Sequence, residues 1–191
     1  MATHVKVVAS AGDAAAYMAL VDRSNDAAKL IKANKLREAE TLLRDVLQRK
    51  PGAGFDEVSV ALTQNELGSV LRQLGQLDEA LELLTQALEV RDRVDEVAGI
   101  SIALRDGNLT RDEIAKVYEA KGDCAKALEI REPGKRICGN EACEALDYKR
   151  EDALHACTRC RCVFYCGKTC QRQDWKRHKS LCRPVKTPKA P

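Results

Sequence analysis

The sequence predicts a mostly α protein: a domain of helical hairpins followed by a small module braced by metal rather than by a large apolar core. Three observations predict it. Apolar residues recur at three- and four-residue steps up to about residue 132, a set of small residues recurs three times along that stretch, and eight of the nine cysteines follow residue 137 at short spacings. With 191 residues, 45% hydrophobic and 32% charged, the chain can build a core, which excludes wholesale disorder. The length suits one domain or two small ones, and is short for an α/β enzyme with a separate substrate domain.

No apolar run approaches the roughly 18–20 residues that a membrane span requires. The stretch MATHVKVVASAGDAAAYMAL has neither a secretory nor a transit layout, since its apolar part is short and broken by Asp13. The expectation is an intracellular protein, nuclear or cytoplasmic. In such a compartment clustered thiols point to metal rather than to disulfides.

Residues 1–15 are small and nonperiodic and read as a flexible end; residues 16–133 read as helical nearly throughout. In LDEALELLTQALEV, the residues Leu77, Ala80, Leu81, Leu84, Ala87 and Leu88 form one buried stripe. Asp78 and Asp123, close behind Gly75 and Gly122, read as helix starters. Pro51-Gly52 and Gly107-Asn108 read as connections.

A recurring pattern organises this region. The central copy carries Leu67-Gly68, Leu71, Gly75, Ala80, Leu84 and Ala87. Upstream, Ala27, Leu30, Asn34, Ala39, Leu43, Val46 and Pro51 take the matching places; downstream, Ile114-Ala115, Tyr118, Gly122 and Ala127 do so. The equivalent alanines Ala39, Ala80 and Ala127 are 41 and 47 residues apart. The third copy is incomplete: Arg131 and Gly134 stand where the second helix should continue apolar, and its open face is expected to pack on whatever follows.

This pattern resembles the tetratricopeptide repeat, whose paired helices need small residues where they cross. Spacings beyond the usual repeat of about 34 imply extended helices or loops. Such stacks often present a concave groove to a peptide. The resemblance places the basic clamp for peptide C-termini at Ser24, Ala28, Glu66, Ser69, Leu109 and Glu113, so that clamp is absent and the groove ligand stays open.

Residues 134–182 hold the chemistry, in four ligand pairs: Cys138-x4-Cys143, Cys157-x2-Cys160, Cys166-x3-Cys170 and His178-x3-Cys182. Eight such ligands suffice for two tetrahedral Zn2+ sites. If residues 168–182 are helical, Cys170 and His178 lie about 12 Å apart along the axis. Ligands of one zinc sit within about 4 Å of each other, so these two cannot share an ion. The pairs must interleave: Cys138, Cys143, Cys166 and Cys170 on one metal, Cys157, Cys160, His178 and Cys182 on the other. Cys162 and Cys124 are then packed thiols, His155 a solvent-facing loop residue, and His4 part of the loose end.

Charge divides the chain as well. Residues 134–191 hold 14 Lys/Arg against 6 Asp/Glu, and residues 1–133 hold 18 against 23. Seven thiolates on two zinc ions would bring the C-terminal part from +8 to about +5, which weakens the case for nucleic acid.

The Cys-x2-Cys…Tyr-Cys-x3-Cys-Gln run, Trp175 four residues after Gln171 and the closing His-x3-Cys together resemble the MYND-type zinc finger over residues 138–182. The first pair departs from that family, with four intervening residues where two are usual. A RING finger differs by its third and fourth pairs and its central His. The MYND resemblance implies docking of proline-containing peptides, with Gln171, Trp175 and a hydroxyl at Thr158 forming the contact. Trp175 could equally fill the small core between the two metals.

Two filled sites leave no open coordination position, so the zinc ions are expected to be structural. The sequence has no Gly-rich phosphate loop, no His-Glu-x-x-His and no nucleophile placed with a base. The family also occurs in lysine methyltransferases beside a SET domain, for which this chain has neither room nor motifs. The reading is therefore a non-enzymatic, zinc-binding adaptor. Two alternatives remain at this level. One is nucleic-acid binding through Lys168, Arg172, Lys176, Arg177, Lys179 and Arg183, against which stands a solvated helix face; the other is a non-catalytic subunit of a methyltransferase-type complex. The tail 183–191 is basic, proline-containing and expected to be flexible.

Overall fold

The computed structural model describes residues 11–101, 107–132, 136–143 and 154–184. Seven helices and a two-stranded sheet occupy them, ordered α1 (Ala11–Lys32), α2 (Leu36–Arg49), α3 (Glu57–Gln73), α4 (Leu77–Val97), α5 (Gly107–Ala120), α6 (Cys124–Arg131), β1 (His155–Ala156), β2 (Phe164–Tyr165) and α7 (Lys168–Leu181). No helix among the described residues is long and apolar enough to cross a membrane. The chain forms two compact units that divide between Val90 and Arg91, inside α4.

In the first unit the repeat pattern becomes packing. Ala39, Leu43 and Val46 of α2, Ala61, Leu67, Val70 and Leu71 of α3, and Ala80, Leu84 and Ala87 of α4 are all buried. Gly68 sits where α3 crosses α4: a Cβ there would lie 2.6 Å from Leu84 Cγ and 3.3 Å from the Ala80 carbonyl oxygen. Each hairpin turns on a left-handed residue. Asn34 (φ 57°) and Gly75 (φ 82°) do this here, and Gly122 (φ 82°) repeats it in the second unit. In each case the following amide bonds back to a helix carbonyl, Lys35 to Leu30, Gln76 to Leu71 and Asp123 to Tyr118, each at 2.9 Å. Asp56 caps α3 by accepting the Ser59 amide at 2.7 Å. A surface pair, Arg44 with Glu79 at 2.6 Å, ties α2 to α4.

The second unit holds α5, α6 and the cysteine-rich segment around one core. Ala115, Cys124 and Ala127 of the hairpin pack with Cys157, Cys160, Cys162, Val163, Tyr165 and Cys182. The sequence reading ended its repeat domain at residue 133, at the shift in composition; the compact unit reaches back to Arg91 because the last hairpin has its apolar face on this shared core. α6 starts at the Asp123 cap, whose carboxylate accepts the Lys126 amide at 2.9 Å. β1 and β2 pair antiparallel, with His155 opposite Tyr165.

Several expectations need correction. Residues 11–15, expected in the flexible end, already belong to α1. Gly107-Asn108 is no connection: both residues are buried in the first turn of α5. Asp78 lies inside the first turn of α4 rather than ahead of it. His155 is exposed as expected, but on a strand. Arg131 does not truncate the third repeat against solvent. It is buried, pairing with Asp112 at 2.8 Å and Glu119 at 2.7 Å. Residues 1–10, with His4, and the tail from 185 lie outside the described residues.

Candidate metal centre

The structure gathers the eight ligand atoms into two groups, each lying within 4.8 Å of one another: Cys138, Cys143, Cys166 and Cys170, and Cys157, Cys160, His178 and Cys182. In the first, Cys143 Sγ lies 3.6 Å from Cys166 Sγ and 3.7 Å from Cys170 Sγ. In the second, Cys157 and Cys182 sulfurs are 3.8 Å apart, and Cys160 Sγ lies 3.4 Å from His178 Nε2. A tetrahedral zinc with bonds of about 2.3 Å to sulfur and 2.0–2.1 Å to nitrogen separates its ligand atoms by roughly 3.5–3.8 Å. Both groups fit that requirement. The crossed pairing follows from α7, which carries Cys170 in its first turn and His178 two turns later.

Local structure explains how each ligand is placed. The knuckle Cys157–Cys160 closes with the Arg161 amide on the Cys157 carbonyl at 2.9 Å, Arg161 itself being left-handed (φ 58°). The wider first pair is folded by Asn140. Its backbone oxygen accepts the Cys143 amide at 2.9 Å, its side-chain oxygen the Ala142 amide at 3.2 Å, and its side-chain nitrogen donates to Gln173 of α7 at 2.7 Å. Gly139 is required beside it, since a Cβ would lie 2.5 Å from Val163 Cγ1. Tyr165 donates to Asp174 at 2.7 Å, and Arg177 grips the same carboxylate at 2.7 and 2.8 Å, which fixes β2 against α7.

The electrostatics suit a cation. The hydrogen bond offered by Cys162 pulls the Cys160 thiol well below its ordinary value, against burial and with help from His178. That sulfur is thus the thiolate of the knuckle. Burial pushes the Glu119 carboxyl up, but Arg131, His178 and Arg177 outweigh it and hold it below the usual carboxylate range. Glu119 and Asp174 escaped the sequence reading because both are single acids on polar helices. The available signal was Arg131, a cation interrupting the apolar stripe of a helix, which implies a buried acid beside it.

The other candidates fall as follows. Cys162 and Cys124 are buried, and their sulfurs group with Cys160 within 4.8 Å. Trp175 is 39% exposed and stands edge-on to His178 at 6.0 Å, so it does not plug a core. With Lys168, Gln171 and Arg172 it lines a shallow groove of about 480 Å³. Thr158 is exposed on the knuckle turn and is not among the lining residues. Of the basic series, Lys168, Arg172, Lys176, Lys179 and Arg183 are exposed. Arg177 leaves that set, because it is engaged with Asp174 and Glu119.

Interleaved metal ligands behind helical hairpins define a repeat protein ending in a cross-braced finger. Comparison with known families makes the class specific: residues 137–182 match the MYND finger, and residues 60–94 match the tetratricopeptide repeat. The chain therefore carries a MYND zinc finger and a tetratricopeptide repeat. Among curated proteins it is similar to three from Mus musculus. It is 41% identical to histone-lysine N-methyltransferase Smyd1 over 39 residues, 20% of this chain and 8% of that protein. It is 52% identical to Egl nine homolog 1 over 42 residues, 22% of this chain and 10% of that protein. Tudor domain-containing protein 1 is 48% identical over 29 residues, 15% of this chain and 2% of that protein. The chain thus spans a tenth or less of the length of these relatives. No solved structure matches.

Proposed function

We propose that the protein is a non-enzymatic adaptor whose MYND finger, closed by two structural zinc ions, docks proline-containing peptides, while the helical repeats offer a second partner surface. Its place in the cell on this reading is intracellular. The observation that carries it is the pairing of two complete four-ligand groups with an exposed tryptophan on the same helix. Four protein ligands per ion leave no position for substrate or activated water, so zinc would supply rigidity in place of the core that a module this small lacks. Trp175 and Gln171 project from one side of α7, one turn apart, into the groove with Lys168 and Arg172. An extended proline segment loses little entropy on binding and packs its rings on an aromatic face.

Titration of the zinc-loaded chain with proline-rich peptides tests this. The expected result is saturable binding that Trp175→Ala weakens at least tenfold with helicity unchanged. Binding unaffected by that substitution, or none at all, contradicts the peptide surface.

A further inference from the structure

We propose that the last helical hairpin completes the metal position that contains His178, with Glu119 of α5 the positioning residue that holds this imidazole. The inference rests on the reading above that this group binds zinc, and it concerns a residue outside the finger.

The geometry runs inward from the hairpin. His178 is fully buried and turns Nε2 toward Cys160. Its other nitrogen, Nδ1, is buried with no hydrogen-bond partner. The carboxylate facing it is Glu119, with Oε2 at 3.8 Å. Glu119 is itself fully buried and held from two sides, by Arg131 at 2.7 Å and Arg177 at 3.2 Å. Arg131 reaches on to donate to the Cys162 carbonyl at 2.6 Å, in the segment just after Cys160. One buried acid and one buried base from α5 and α6 therefore support both the imidazole and the knuckle.

A histidine that ligates through one nitrogen needs the other protonated, and a carboxylate opposite that proton fixes tautomer and ring orientation. Burial removes water as an alternative partner for Nδ1. The three-thiol grouping of Cys124, Cys160 and Cys162 does not make a separate site, because Cys160 already belongs with His178. Its role here is to pack α6 against the knuckle.

The test uses the full chain loaded with 113Cd2+ in place of zinc, so that the ion held by four thiolates and the ion held by three thiolates and an imidazole give distinct resonances. Glu119→Gln removes the charge; Glu119→Asp keeps it for the arginines but withdraws it from Nδ1. Both are expected to speed metal release to a chelator from the imidazole-containing position by about 10- to 100-fold, leaving the all-thiolate position within about twofold of wild type. Unchanged release, or equal acceleration at both positions, overturns the proposal. A second measurement needs no variant: the 15N spectrum of the wild-type imidazole should show Nδ1 protonated and Nε2 metal-bound, and the reverse tautomer overturns it. Absence of the imidazole-ligated resonance in the wild type would sink the underlying zinc reading, and is seen before any substitution is made.

Discussion

The guanidinium of Arg131, the last residue of α6, donates to the carbonyl oxygen of Cys162 at 2.6 Å, so the end of the repeat region is bonded directly to the metal knuckle. The same side chain meets Asp112 and Glu119, both buried on α5. A polar helix can face inward here because its charges cancel locally: Lys116 pairs with Asp112 at 3.1 Å and Glu113 at 2.7 Å, and Arg111 pairs with Asp92.

Replacing Arg131 should therefore be costly. Arg131→Met leaves two buried carboxylates short of a cation and is expected to destabilise the second unit by about 3–5 kcal/mol. Arg131→Lys should recover only part of this, since a single ammonium cannot reach both acids and the carbonyl in the guanidinium's fork. Denaturant unfolding followed by far-UV circular dichroism measures it; a loss below about 1 kcal/mol for the methionine variant contradicts the assignment.

At the crossing of α3 and α4, Gly68→Ala should cost about 1–3 kcal/mol by overpacking, because the new methyl falls on Leu84. The substitution should couple to Leu84→Ala: the double variant is expected to be more stable than the sum of the two single losses implies. Strict additivity would place the clash elsewhere.

Asp56 gives a pH dependence with a definite sign. The hydrogen bonds from Ser59 hold its carboxyl below the ordinary value. A depressed folded pKa means that the stabilisation is complete above the unfolded value, about 3.9, and is lost as pH falls through the folded one. Asp56→Ala should thus cost ~1 kcal/mol at pH 7, shrinking below pH ~4. Unfolding curves at neutral and acid pH should show the two proteins converging; a constant difference contradicts the cap.

Much of this was legible in the sequence, for identifiable reasons. Ala39, Ala80 and Ala127 were recognisable because helix crossing tolerates only small side chains, and all three are wholly buried. The metal pairing was legible because one helix cannot bring Cys170 and His178 to one ion. Asn34 reads like Gly75 and Gly122 because asparagine tolerates the left-handed turn they share. Gly107-Asn108 misled, since breaker residues signal turns only when the backbone is free to make one. Glu119 could not be found: its partners Arg177 and His178 lie almost sixty residues away, and nothing on α5 alone says which charge will be buried.

The central claim is that the last hairpin and the finger fold as one metal-dependent unit. Hydrogen exchange of the full chain, zinc-loaded and after chelation, tests it most directly. The account predicts that metal removal strips protection from α5 and α6 together with α7, while α2 and α3 keep theirs. Protection of α5 and α6 that survives chelation unchanged would contradict it.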